Sequence, residues 1–171
     1  KDALELAASA MGYTPFLFYT PPESEGFFRQ LVPPSVGTLA QSDGDLGQKM
    51  YRIFLELGGG GYSPVVVVGS DLPTLQPSHL EKAIVCLQSC EVCLGPSHDG
   101  GYYLIGARGA HRNLFEGVAW STPTVLQETV DKAKAAGLSL GLIDVCSDVD
   151  TIDDLRRLFC DIERLRQTPG S

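Results

Sequence analysis

Val65-Val66-Val67-Val68-Gly69-Ser70-Asp71-Leu72-Pro73 is the segment around which the rest of the chain is read. Four consecutive β-branched valines, entered from Pro64, predict a strand buried on both faces, because parallel strands covered on both sides carry unbroken Val/Ile runs rather than alternating ones. The run ends on Gly69-Ser70-Asp71, and Pro73 keeps the chain from turning at once into a helix. In open α/β sheets the ligand crevice lies beyond the carboxyl ends of the strands. A carboxylate at that point either caps its own turn or holds a metal bound to phosphate, and the segment by itself allows both.

Around this strand, helical and extended segments alternate. Residues 1–11 have helical spacing and close at Gly12, a C-cap. A strand is expected over 15–20, a short helix over 24–31 and a short strand over 37–41. Gly44-Asp45-Leu46-Gly47 then opens a long amphipathic helix with Met50, Ile53, Phe54 and Leu57 on one face. The run Gly58-Gly59-Gly60-Gly61 ends that helix. It is not a phosphate loop, which must follow a strand, precede a helix and carry Lys-Ser/Thr.

Beyond Asp71, a helix is expected over 77–87 and strands over 91–95 and 101–106, joined at Asp99-Gly100 by a tight turn. Thr122-Pro123 starts a helix running to 136, as N-cap and first helical residue. The last strand covers 138–145, the last helix 151–166, and residues 167–171 read as a frayed tail. The pattern predicts one three-layer α/β/α domain over 1–166 with a mixed, mostly parallel sheet. A βαβ crossover needs a strand before its helix, so a chain opening on a helix predicts that the first strand and its loop are lacking.

Composition narrows the function classes. A chain of 171 residues, 43% hydrophobic and 20% charged, builds one domain with a substantial core and leaves no long disordered region. The formal net charge of −8 argues against a nucleic-acid surface. It does not argue against a nucleotide substrate, since a divalent cation supplies positive charge. No run approaches the roughly 20 apolar residues of a membrane span, and no signal-peptide pattern opens the chain, so a cytoplasmic protein is expected. Self-association is left open. Of Cys86, Cys90, Cys93, Cys146 and Cys160, only Cys90 and Cys93 form a C-x-x-C, and no second pair completes a zinc set. Cys86 and Cys93 fall on apolar faces and read as small hydrophobes.

Four loops that follow or join strands carry unusual polar or glycine content: 41–47, 70–74, 97–101 and 146–154. Loops at the carboxyl edge of such a sheet converge, so these are candidates for one site. The first, Gln41-Ser42-Asp43-Gly44-Asp45-Leu46-Gly47, meets a helix N-terminus whose free N–H groups bind an anion or a base edge. Helix capping explains its aspartates but not both glycines. In the last loop, Asp153 and Asp154 fall in a first helical turn and are explained by capping and the helix dipole. Asp148 and Asp150 precede the cap, and with Asp71 they compose a hard oxygen site suited to Mg²⁺ or Mn²⁺. His98-Asp99-Gly100-Gly101 serves equally well as a bare hairpin turn or as a substrate contact. Ser70 lacks the G-x-S-x-G elbow of a serine hydrolase. Trp120 reads as core or as pocket wall.

Taken in order, Gln41…Gly44-Asp45-Leu46-Gly47, Gly69-Ser70-Asp71-Leu72-Pro73, Gly95-Pro96…Asp99-Gly100-Gly101-Tyr102-Tyr103-Leu104-Ile105-Gly106, Phe115…Trp120-Ser121-Thr122 and Asp148-Val149-Asp150-Thr151…Asp154-Leu155 resemble a bacterial glycosyltransferase-like group. This is the radical-SAM/selenodomain-associated transferase group of the nucleotide-diphospho-sugar transferase superfamily, related to cofactor guanylyltransferases. The resemblance covers nearly the whole chain and implies a GT-A-like fold. It also implies that Asp71 is the metal-binding aspartate, with Asp150, ahead of Asp148, as its partner. Gln41, Gly44, Asp45, Leu46, Gly47 and Ser70 would bind the nucleotide. His98, Asp99, Gly100, Gly101 and Trp120 would line the acceptor side, with Asp71 and Asp99 as the catalytic carboxylates. The family's amino-terminal phosphate-gripping loop has no counterpart in this sequence.

Three functions follow as expectations. The first is a metal-dependent transferase moving a sugar from a nucleoside diphosphate sugar to a small-molecule acceptor. The second is a nucleotidyltransferase releasing pyrophosphate from a nucleoside triphosphate. The third is a non-catalytic nucleotide-binding or interaction module.

Overall fold

The computed structural model describes residues 12–70, 72 and 75–146. The helices expected over 1–11 and 151–166 and the tail over 167–171 lie outside the described residues. Strand β1 (Phe16–Tyr19) runs through helix α1 (Glu25–Leu31) to β2 (Gly37–Ala40), and the two strands pair in parallel with Phe16 opposite Gly37. Helix α2 (Leu46–Gly59) leads to β3 (Val65–Val68), followed by α3 (Pro77–Ser89), β4 (Val92–Pro96), β5 (Tyr102–Ala107), α4 (Val125–Ala135) and β6 (Leu140–Leu142). These last four strands form a second sheet in the order β3-β5-β4-β6. Strand β5 is antiparallel to both its neighbours and β4 is parallel to β6, so the sheet is mixed as the Asp-Gly turn predicts.

Local chemistry sets the ends of the helices. Asp45 caps α2 in a reciprocal box: Gln48 N–H donates to Asp45 Oδ1 at 2.8 Å, and Asp45 N–H donates to Gln48 Oε1 at 3.2 Å. Helix α4 starts at Val125 rather than at Thr122-Pro123. The Thr122 hydroxyl donates backwards to the Ala119 carbonyl at 2.6 Å, which ties it into the preceding turn instead of capping the helix.

The alternation of β3 divides the core into two layers. Val65 and Val67 belong with Val92, Leu94 and Ile105 under α2 and α4, where Phe54 stacks on Phe115 at 5.7 Å. Val66 and Val68 belong with Cys93, Leu104 and Tyr103 under α3. Helices therefore cover both sheet faces, an α/β/α arrangement. Cys93 is fully buried and its thiol is pushed up by burial, first of all, so it behaves as a hydrophobe.

One expectation needs correction. Of the four valines read as buried on both faces, only Val65 is buried, while Val66, Val67 and Val68 are half-buried. The cause is topological: β3 is the edge strand of its sheet, and a cavity separates it from β1. The part of the core that decides stability lies further in. Phe54 is 1% exposed, and Phe54→Ala should cost about 3–5 kcal/mol, read as a lower urea midpoint at unchanged slope.

Candidate functional site

Because β5 runs against β3 and β4, its first residues arrive at the edge where β3 and β4 end. Gly69 N–H donates to the Tyr103 carbonyl at 3.2 Å and Ser97 N–H to the Gly101 carbonyl at 3.1 Å. The parallel pair β1–β2 ends nearby, where Gln41 N–H donates to the Tyr19 carbonyl at 2.8 Å. Gln41, Ser70, Asp99 and Trp120, drawn from four separate loops, line one cavity of about 920 Å³. The cavity is not confined to this edge, since it continues between β1 and β3 as far as Tyr13 and Tyr62.

The expected site residues divide between this lining and its support. Gln41, Leu46, Ser70, Asp99, Gly101 and Trp120 reach the cavity. Gly44, Asp45, Gly47, His98 and Gly100 do not. Asp45 is occupied by its capping box, and Gly44 turns the loop at φ 120°. Gly47 is buried in a close approach: a Cβ there would meet the Phe115 carbonyl and Trp120 Nε1 at 2.7 Å. Packing, rather than the approach of a ligand, is why no side chain fits at Gly47. Gly100, at φ 90°, likewise has the Pro123 carbonyl where its Cβ would stand. His98 is exposed beside the turn.

Asp99 does two things at once. Its Oδ1 accepts from the Ser97 hydroxyl and, at 2.9 Å, from Gly101 N–H, which holds the three-residue turn. Its second oxygen remains for solvent or a ligand. Asp71, Asp148 and Asp150 lie outside the described residues, as does the remainder of the last loop. The described residues that precede them reach this edge. Ser70 lines the cavity, and Cys146 N–H donates to the Pro96 carbonyl at 3.0 Å. Among the described residues no three His, Cys, Asp or Glu side chains gather as a metal set.

Lys49, Ser97, Tyr102, Ser121 and Thr122 also line the cavity and carry no role in the sequence reading. Lys49 is its one cationic side chain among the described residues, placed on the first turns of α2 beside Met50. Ser121 has φ 62°, the left-handed region that a non-glycine residue enters at a cost. It is held there by its neighbours. Glu128 Oε2 accepts from Ala119 N–H at 2.9 Å and Oε1 from the Thr124 hydroxyl at 2.6 Å, while the Thr122 and Thr124 hydroxyls meet at 2.8 Å. Trp120 completes the turn, edge-on to Tyr102 with ring centroids 6.5 Å apart.

Comparison with known proteins places this arrangement. Over residues 3–122 the sequence matches a family described as uncharacterized proteins conserved in bacteria, DUF2064. The chain belongs to DUF2064. A crystal structure from Desulfovibrio desulfuricans G20, provisionally named a nucleotide-diphospho-sugar transferase, is similar to the DUF2064 chain at a TM-score of 0.84. The two are 32% identical, over 92% of this chain and 70% of that one. No curated protein matches the DUF2064 chain. The likeness is consistent with the GT-A-like α/β fold that the motifs imply.

Two outcomes test the geometry. Gly47→Ala should destabilise by about 1–3 kcal/mol, since neither the Phe115 carbonyl nor the indole can give way freely, and should shift the emission of the single tryptophan. The second concerns pH. Hydrogen bonds from Thr124 and then from Ala119 hold the Glu128 carboxyl below its usual value. A depressed folded pKa stabilises the turn above the unfolded value of about 4.3 and loses that contribution as pH falls through the folded value. Glu128→Gln should therefore remove part of the acid-side dependence of melting temperature, with little change in its slope near neutrality.

Proposed function

We propose that this protein transfers a sugar from a nucleoside diphosphate sugar to a small-molecule acceptor. The observation that carries the reading is a cavity whose end at the carboxyl edge gathers Lys49, several hydroxyls and an apolar wall, in a chain similar to a protein provisionally named a nucleotide-diphospho-sugar transferase. In this reading Leu46, half exposed at the cavity, and Trp120 flank the base or sugar ring. Gln41 offers its amide to a base edge, and Lys49 faces the diphosphate. The hydroxyls of Ser70, Ser121 and Thr122 bind sugar or phosphate oxygens.

The reaction breaks the bond between the anomeric carbon and the diphosphate oxygen and forms one from that carbon to the acceptor oxygen. The acceptor's proton goes to a carboxylate, for which the uncommitted oxygen of Asp99 is the candidate among the lining residues. A Mg²⁺ or Mn²⁺ ion held by Asp71 with Asp150 or Asp148 would neutralise charge on the leaving diphosphate. Hard carboxylate oxygens suit these ions; Ser70 lines the cavity, and Cys146 bridges to Ser97, which also lines it.

Titration calorimetry with nucleoside diphosphate sugars, with and without Mn²⁺, tests this. Binding should require the metal, and Asp71→Asn should weaken it by more than about tenfold while the melting temperature stays put. A fall in melting temperature without loss of metal-dependent binding would assign Asp71 to its turn. Pyrophosphate release from nucleoside triphosphates would replace sugar transfer by nucleotidyl transfer on the same site.

A further inference from the structure

We propose that Cys86 and Cys90, at the carboxyl end of α3, form a two-thiolate site for a soft monovalent cation of the Cu(I) type. The proposal is independent of the transferase reading. The two residues are four apart, and Cys90 N–H closes the last turn of α3 on the Cys86 carbonyl at 2.9 Å, so both side chains stand on one face. That face looks onto β6 at Gly141. A Cβ there would meet Cys86 Sγ and, at 3.3 Å, Cys90 Sγ, so the two sulfurs converge above one backbone position. Glycine inside a strand weakens it and marks a place of close approach. Here the groups that approach are the two thiols. Both cysteines are half-buried, shielded on one side and reachable from the other.

The kind of ligand follows from softness, number and span. Thiolate sulfurs select Cu(I), zinc or iron–sulfur clusters. Structural zinc and the clusters take four protein ligands, and among the described residues no three His, Cys, Asp or Glu side chains gather as a metal set. Cu(I) remains, because a monovalent ion with a filled d shell is satisfied by two thiolates. A direct sulfur–sulfur bond is the competing use of the pair. It needs Cβ atoms about 3.5–4.5 Å apart, whereas residues four apart on a helix hold theirs at about 5–6 Å. An ion between the sulfurs spans that gap and leaves the last turn wound. Cys93 belongs to the surroundings and is not a ligand: it is fully buried opposite Gly141, and burial, ahead of its contact with Cys86, keeps it a thiol. Burial likewise pushes the Cys86 thiol up. Uptake of the cation therefore releases two protons to solvent, one from each sulfur, and tightens as pH rises.

The test titrates the reduced full chain anaerobically with Cu(I) against a chromogenic Cu(I) chelator. The parent should take up one ion per chain, with ultraviolet thiolate-to-copper absorption. Cys86→Ser and Cys90→Ser should each weaken uptake by more than the roughly 10–100-fold that loss of an outer-shell group costs, at a melting temperature that still reports a folded chain. Gly141→Ala keeps every thiol but fills the point where the two sulfurs meet, and should weaken uptake as well. Cys146→Ser and Cys160→Ser should bind as the parent does. No uptake by the parent, or uptake that survives loss of Cys86 or of Cys90, overturns the proposal. Closure of a Cys86–Cys90 disulfide by a low-molecular-weight disulfide, in a chain that takes up no Cu(I), also overturns it and makes the pair a redox site.

Discussion

The antiparallel ladder of β5 is the constraint on which the rest of this domain depends. A strand running with its neighbours would deliver its first residues to the opposite edge of the sheet. Running against them, β5 brings Gly101 and Tyr102 to the edge where β3 ends at Gly69 and β4 ends at Pro96. Its register also sorts the core. Ile105, between Val67 and Leu94, belongs to the layer under α2 and α4, and Leu104, between Val68 and Gly95, to the layer under α3. Sheet position and cavity position follow from the same hydrogen bonds.

The Trp120-Ser121-Thr122 turn adds a second tier. It packs on a helix N-terminus through Gly47, on β5 through Tyr102 and on α4 through Glu128. Each contact is modest, but they fix Ala119 and Trp120, and the next residue, Ser121, is held at φ 62°. Strain of this kind persists only where surroundings over-determine it. Here those surroundings are also the cavity wall.

Much of the architecture was legible in the sequence because it is written in local chemistry. The capped start of α2 at Asp45, the Asp99-Gly100 turn and the buried run of β4 and β5 are each short-range signals that no tertiary contact overrides. The roles of individual glycines were not legible. Gly47 and Gly100 look like ligand-approach glycines in one dimension, whereas each has a carbonyl from another part of the chain where a Cβ would stand. Lys49 was missed for a related reason: on a helical projection it is one more charge beside an apolar face, and only the position of β1 and β3 makes it a cavity wall.

The valine run shows where sequence reasoning reaches its limit. Four β-branched residues in succession specify the environment a strand requires, with apolar cover on both faces and partners on both edges. They do not specify which elements provide it. In this structure α2 and α3 provide the faces and β5 provides one edge, while the other edge looks across the cavity at β1. The same residues that read as the centre of a sheet therefore stand at its margin and are only half-buried. The position of β3 in its sheet, rather than its composition, therefore decides how much of the run is buried.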